Sequence, residues 1–172
     1  KSLGDPSITT VSVDVQDYLA KIQWSERGKA SITGFDASDF PPFPEVQDGE
    51  SLTFSTSELA FLAEKTMFAC STDSIRLSLN GVFLEAKDGK ISMIATDGHR
   101  LGRATIDREG ATLANGAIIP KKALQHILHM AKPDATIEVR TSATHILFST
   151  GSTQVISKLF EGPYPNYRAV IP

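Results

Sequence analysis

Residues 117–140 read AIIPKKALQHILHMAKPDATIEVR, and most of the chain's architecture follows from this one stretch. Ala117–Ile119 is a short apolar strand, and Pro120 stands where a first helical turn tolerates a missing amide. Leu124, Ile127, Leu128 and Ala131 occupy i, i+3, i+4 and i+7, so Pro120–Ala131 is predicted as an amphipathic helix. Pro133-Asp134 ends it. Thr136–Arg140 then alternates polar and apolar, as a half-buried strand does, and so do His145–Ser149 and Gln154–Phe160. The order is β-α-β-β-β.

The same order precedes it. Leu52–Ser55 is a strand running into Ser55-Thr56-Ser57-Glu58, the spacing of a capping box. Leu59, Leu62, Ala63, Thr66 and Met67 extend helical periodicity to about Cys70. Leu77–Lys87, Lys90–Thr96 and His99–Ile106 follow as strands. Asp88-Gly89 and Asp97-Gly98 separate them, and each pair suits a two-residue type I′ hairpin. Before residue 50, Val11–Val15, Tyr18–Trp24 and Ala30–Phe35 form a further β-β-β run. Asp36–Gly49, with three prolines at 41, 42 and 44, reads as a linker. Sliding residues 11–41 by 124 positions puts Val13 on Ile137, Ile22 on Ile146, Trp24 on Phe148 and Phe40-Pro41 on Tyr164-Pro165, as an internal duplication would. The expected class is α+β, with duplicated β-α-β-β-β units and two helices packed on antiparallel sheets. Residues 1–47 are then the tail of one domain and 48–172 a complete second one, within something longer.

The 172 residues are 41% hydrophobic and 22% charged, enough to bury a core. No apolar run approaches the roughly 20 residues of a membrane span. The start, KSLGDPS, carries no signal segment, although beginning at Lys1 leaves room for an upstream leader. The single cysteine, Cys70, excludes a disulfide framework and fits a reducing cytoplasm. A net charge of -3 excludes a generally basic nucleic-acid binder, but not one with a locally basic face.

Such a face exists on the second helix. Lys121, Lys122, His126, His129 and Lys132 lie on it or at its end, with no acid among residues 120–132. Lys122, Gln125, His129 and Lys132 recur every three or four residues, opposite Leu124 and Ile127. A solvated surface explains this, and so does weak, sequence-independent phosphate attraction. Other chemistry is poorly supported. His126-x-x-His129 could hold a metal, but neighbouring lysines disfavour a dication. Asp97 and His99 suggest a catalytic dyad, yet Asp97-Gly98 reads as a turn, His99 and Arg100 would point to opposite strand faces, and no nucleophile is nominated. There is no P-loop, and no cofactor is expected.

The string Ala95-Thr96-Asp97-Gly98-His99-Arg100-Leu101 resembles the bacterial DNA polymerase III beta subunit family, the sliding clamps. Leu79-Asn80-Gly81, Ile119-Pro120-Lys121-Lys122, Ser157–Gly162 and Tyr164-Pro165-Asn166-Tyr167-Arg168 support it in order. The resemblance implies a non-enzymatic processivity factor: a closed ring of two head-to-tail subunits, a homodimer that encircles double-stranded DNA and tethers the replicative polymerase. It places Lys121, Lys122, His129 and Lys132, together with Arg76, near DNA. It also implies an apolar site for peptide tails of polymerase, clamp-loader and repair proteins, at Leu79, Thr96, Gly98, His99, Arg100, Leu101, Pro165 and Val170. Its second wall would come from a third domain. Where a common family pattern has Arg before that valine, this chain has Ala169. The competing readings are a stand-alone peptide-binding domain with no DNA role, and a small hydrolase using Asp97, His99 and Arg100.

Overall fold

A computed structural model describes residues 7–8, 10–26, 28–46, 49–73 and 75–171. They divide into two compact units, Lys1–Phe43 and Pro44–Pro172.

The first unit is an antiparallel meander of β1 (Ser12–Gln16), β2 (Leu19–Gln23) and β3 (Lys29–Thr33). Val13 pairs with Ile22 and Ile22 with Ala30, which puts the apolar side chains on one face of the sheet. That face is open: Val13 is 60% exposed and Val15 64%. After β3, Asp36 caps a short 3-10 turn at Ala37–Asp39 by accepting from the Ser38 amide at 2.8 Å, and it also accepts from the Tyr18 hydroxyl at 3.0 Å.

The second unit contains β4 (Glu50–Ser55), α1 (Thr56–Glu64), β5 (Gly81–Lys87), β6 (Lys90–Thr96), β7 (Leu101–Asp107), β8 (Leu113–Pro120), α2 (Lys121–Met130), β9 (Thr136–Thr141), β10 (His145–Thr150) and β11 (Thr153–Lys158). This is β-α-β-β-β twice, in two four-stranded antiparallel sheets, ordered β11-β10-β9-β4 and β7-β6-β5-β8. Each repeat lends its first strand to the other repeat's sheet, so each helix crosses from one sheet to the other. Leu59, Leu62 and Ala63 of α1 and Leu124 and Ile127 of α2 are buried with Phe54, Leu84, Ile91, Met93, Val139 and Phe148 in one core.

The capping box is formed: the Ser55 hydroxyl accepts from the Glu58 amide at 3.2 Å, and the Glu58 carboxylate accepts from the Ser55 amide at 2.8 Å. With Arg108 paired to it at 2.6 Å, Glu58 titrates below the ordinary glutamate range, chiefly because of the backbone bond from Ser55. Ser55→Ala should destabilise the unit by about 1 kcal/mol, read as a lower urea midpoint at unchanged slope.

Several boundaries depart from the sequence reading. Helix α1 stops at Glu64, because the buried Thr66 hydroxyl donates to the carbonyls of Leu62 (2.7 Å) and Ala63 (3.2 Å), and a 3-10 turn at Met67–Ala69 follows. Close packing limits this end of the helix: a Cβ on Gly102 of β7 would lie 2.9 Å from the Lys65 carbonyl oxygen. Leu77–Asn80 is a 3-10 turn, so the next strand begins only at Gly81. Strand β8 starts at Leu113, four residues before the expected Ala117, and Pro120 is the N-cap of α2, just outside the helix.

The duplication is present, with a different offset. Val13 pairs with Ile22 as Val139 pairs with Phe148, and Leu19 with Thr33 as His145 with Lys158. The offset is therefore 126 for the first hairpin and 125 for the last strand. The connecting bonds agree: Gly34 donates to the Tyr18 carbonyl at 2.7 Å, and Leu159 to that of Thr144 at 2.8 Å. The ungapped slide of 124 kept each side chain on the correct face of the first two strands, being an even number of residues out.

Candidate functional site

Helix α2 buries Ala123, Leu124 and Ile127 and leaves Lys122, Gln125, His126 and His129 exposed, with Lys132 exposed just beyond it. Lys121 is half-buried at the start of the helix, near enough to Cys70 for its charge to offset part of the burial that pushes the Cys70 thiol up. Helices α1 and α2 touch, and their opposite ends are tied together. The Thr56 hydroxyl donates to the Lys132 carbonyl at 2.9 Å, and the Thr56 amide to that of Ala135 at 2.9 Å. Ser57, Phe61, Glu64 and Lys65 form the exposed side of α1. The charges exposed along the two helices are mainly those of Lys65, Lys122 and Lys132, opposed by Glu64.

Lys121 and Lys122 occupy the first turn of α2, with no acid there. A helix N-terminus carries the positive end of the macrodipole, which disfavours cations by a few tenths of a kcal/mol or more. Local helix stability therefore does not account for these lysines.

A second group of residues gathers around the loop between β6 and β7. Thr96 pairs with Leu101, leaving a four-residue loop, 97–100, in place of the two-residue hairpin expected from Asp97-Gly98. The side chain of Asp97 builds this loop. One carboxylate oxygen accepts from the amides of His99 (3.0 Å) and Arg100 (3.1 Å), and the other from the Arg100 Nε at 2.9 Å. The Thr96 hydroxyl donates to the Arg100 carbonyl at 2.7 Å and accepts from the Gly98 amide at 3.1 Å. Gly98 has φ 94°, a left-handed conformation that suits glycine. By contrast, Asp88-Gly89 is the expected two-residue turn, with both residues at positive φ between the paired Lys87 and Lys90.

His99 and Arg100 therefore lie in a loop and do not occupy alternate faces of a strand. Asp97 is occupied in holding its own backbone and the Arg100 side chain, so its carboxylate is not directed at His99 as the dyad of the hydrolase reading requires. Those backbone bonds lower the Asp97 pKa to about 2. The contribution to loop order is present above the ordinary value near 3.8 and lost as pH falls through 2. Carboxylate NMR should find the midpoint near 2, with the His99 and Arg100 amides still protected at pH 4.

The loop has close neighbours. An Nη of Arg76 lies 3.6 Å from where a Gly98 Cβ would be, so Arg76, expected near DNA, stands beside the peptide group. Arg76 also pairs with Asp73 at 3.4 Å. The Arg100 guanidinium lies 5.8 Å from the centre of the exposed Phe68 ring. Leu79 is only 5% exposed, a floor more than a wall, whereas Leu101 is half-buried. Pro165 is exposed, and Val170, on the 3-10 turn Tyr167–Val170, is 71% exposed. The preceding Tyr164 hydroxyl donates to the Ile94 carbonyl at 3.4 Å, which ties this segment to β6.

A cleft of about 760 Å³ lies elsewhere, lined by residues that include Glu50, Phe83, Gly116, Tyr164 and Tyr167; of the expected residues only Pro165 reaches it. Among the described residues, no three His, Cys, Asp or Glu side chains gather as a metal site would require, and no helix is long and apolar enough to cross a membrane. Sequence reasoning missed Phe68 and the partners of the 160–170 segment. Period-two alternation does put Phe83 and Glu85 on one face of β5, but it names no partner for either.

Residues 53–166 match the family model described as the DNA polymerase III beta subunit, central domain. The chain is 29% identical to the beta sliding clamp of Pseudomonas aeruginosa, over all of its own length and 47% of that protein. It is 36% identical to that of Treponema pallidum over 77% of this chain and 36% of the relative. The chain thus spans less than half the length of these curated relatives. Among solved structures, the P. aeruginosa beta subunit superimposes with a TM-score of 0.83 at 27% identity, covering 94% of this chain and 45% of that one. A sliding clamp from Bartonella birtlesii bound to griselimycin gives 0.82 at 33% identity, covering 94% and 45%.

Proposed function

The chain belongs to the DNA polymerase III beta subunit family, the bacterial sliding clamps, and on that footing we propose that it forms part of a ring that slides on duplex DNA as a processivity factor. Residues 48–172 would be the central domain of a longer subunit and 1–47 the end of the domain before it. Two subunits would close head to tail. Lys121, Lys122, His129 and Lys132 would face the hole, and the loop at 96–101, with Leu79, Pro165 and Val170, would take peptide tails of polymerase, clamp-loader and repair proteins. The role is topological: the ring holds other enzymes on the template and transforms no substrate itself.

One observation carries this reading: α2 presents Lys122, Gln125, His126 and His129 to solvent, with no acid, on a chain of net charge -3. Phosphate contacts by flexible lysines carry no sequence information, so such a face attracts DNA and still lets it move. Gly98 lets a peptide approach the backbone, and Leu101, Pro165 and Val170 offer apolar contact. Ala169 removes one polar contact that the common family pattern supplies.

Separate substitutions in the intact subunit test the proposal. Leu101→Ala should lower affinity for a clamp-loader tail peptide about tenfold, the worth of about two buried methylenes, and leave DNA loading unchanged. Lys122→Glu should do the reverse. Unimpaired loading of Lys122→Glu at low salt would leave a peptide-binding domain without a DNA role.

A further inference from the structure

Pro165 and Val170 are exposed, yet the segment carrying them is held at three points on the sheet below. The Phe160 amide donates to the Ile118 carbonyl at 3.0 Å. The Tyr164 ring stacks on Phe83 with centres 4.8 Å apart and planes 7° from parallel. Phe83 itself has little freedom, because a Cβ on Gly116 would lie 2.5 Å from its ring. The third anchor is Glu85, two residues along the same face of β5. Its carboxylate accepts from Arg168 at 2.8 and 2.9 Å and from the Tyr167 hydroxyl, and the Arg168 guanidinium lies 5.1 Å from the Tyr167 ring centre. The Glu85 side chain is 15% exposed, whereas that of Arg168 is 60% exposed.

We propose that Glu85 is a positioning residue for the peptide site: by holding Tyr167 and Arg168 it fixes where Pro165 and Val170 stand, and so sets peptide affinity without touching the peptide. This rests on the reading of that site given above. The geometry assigns the role to Glu85 because its two partners bracket the start of the 3-10 turn that carries Val170. Released from Glu85, the turn keeps the packing of the buried Tyr167 ring and short-range bonds such as Tyr167 to the Pro165 carbonyl at 2.7 Å and Ala169 to that of Asn166 at 3.3 Å. A wall that is in place only part of the time lowers apparent affinity by that fraction.

The test is an NMR titration of the intact subunit with a synthetic clamp-loader tail peptide, combined with amide exchange. In Glu85→Gln, exchange at Tyr167 and Ala169 should quicken about tenfold, and peptide affinity should fall by about the same factor, while Leu84 and Ile94 stay protected. Arg168→Ala should behave like Glu85→Gln, and Arg168→Lys, which keeps the charge pair, should retain most of the affinity. Tyr167→Phe removes one hydroxyl and gives a milder form of the same loss, should Glu85→Gln fold poorly. Unchanged exchange, or unchanged affinity where wild type binds, would overturn the inference and leave the site reading standing. An intact wild-type subunit whose Leu101 and Val170 signals ignore the peptide at millimolar concentration would overturn the site reading, and the inference with it.

Discussion

Changing Lys121, Lys122 and Lys132 together to glutamine should weaken duplex binding by about two to three orders of magnitude near 0.1 M salt, and the plot of log affinity against log salt should become shallower by about 2.7. The arithmetic is that of counterion release: each phosphate neutralised contributes about 0.9 to the slope on B-form DNA, so three lost contacts remove three such increments. Glutamine keeps helix propensity and bulk, and all three side chains lie outside the buried set of α2, so the fold should be indifferent. Relieving two cations at the N-terminus of α2 should even raise thermal stability slightly. Affinity for a duplex of arbitrary sequence, measured in the intact subunit at 50 and 200 mM salt, checks both numbers, and an unchanged slope would show that this face does not meet phosphates.

Phe148→Ala should have the largest effect on stability. Phe148 is fully buried in β10, paired with Val139 on one side and Val155 on the other, in the core beneath both helices. Truncating a buried phenylalanine costs about 3–5 kcal/mol, transfer and cavity together, against a total of about 5–15 kcal/mol for a domain. The melting temperature of the second unit should fall by about 10–20 °C. A loss under about 1 kcal/mol in denaturant unfolding would mean that the two sheets do not share the core described above.

What could be read from the sequence was local. Alternation in Thr136–Arg140, the i, i+3, i+4 spacing in α2 and the Ser55–Glu58 box are patterns within a few residues, and each fixes a strand, a helix or its start. The exchange of β4 and β8 between sheets could not be read, because pairing between Leu52 and Val139 leaves no mark on either segment alone. Nor could the contrast between two identical dipeptides. Asp88-Gly89 makes the tight turn, while Asp97-Gly98 opens into a four-residue loop because the Asp97 carboxylate binds the two amides beyond it. Helix α1 read too long because Thr66 and Met67 continue its spacing after the helix has ended.

The candidate site divides along the same line. The basic face of α2 follows from sequence spacing alone. The residues around 96–101 came from resemblance, and the structure adds what no spacing contains: Arg76 and Phe68 beside the loop, and Glu85 beneath the 163–170 segment.

The first meander has a consequence for handling the chain. Val13, Val15 and Ile32 share one side of that sheet and are wet, while Val139, which matches Val13 in the later repeat, is 1% exposed. A broad oily sheet face in water is adhesive, and apolar contact strengthens in sulfate and other excluded salts. Turbidity and loss of monomer during purification would therefore begin at this end of the molecule, and a single lysine in place of Val13 is the economical remedy.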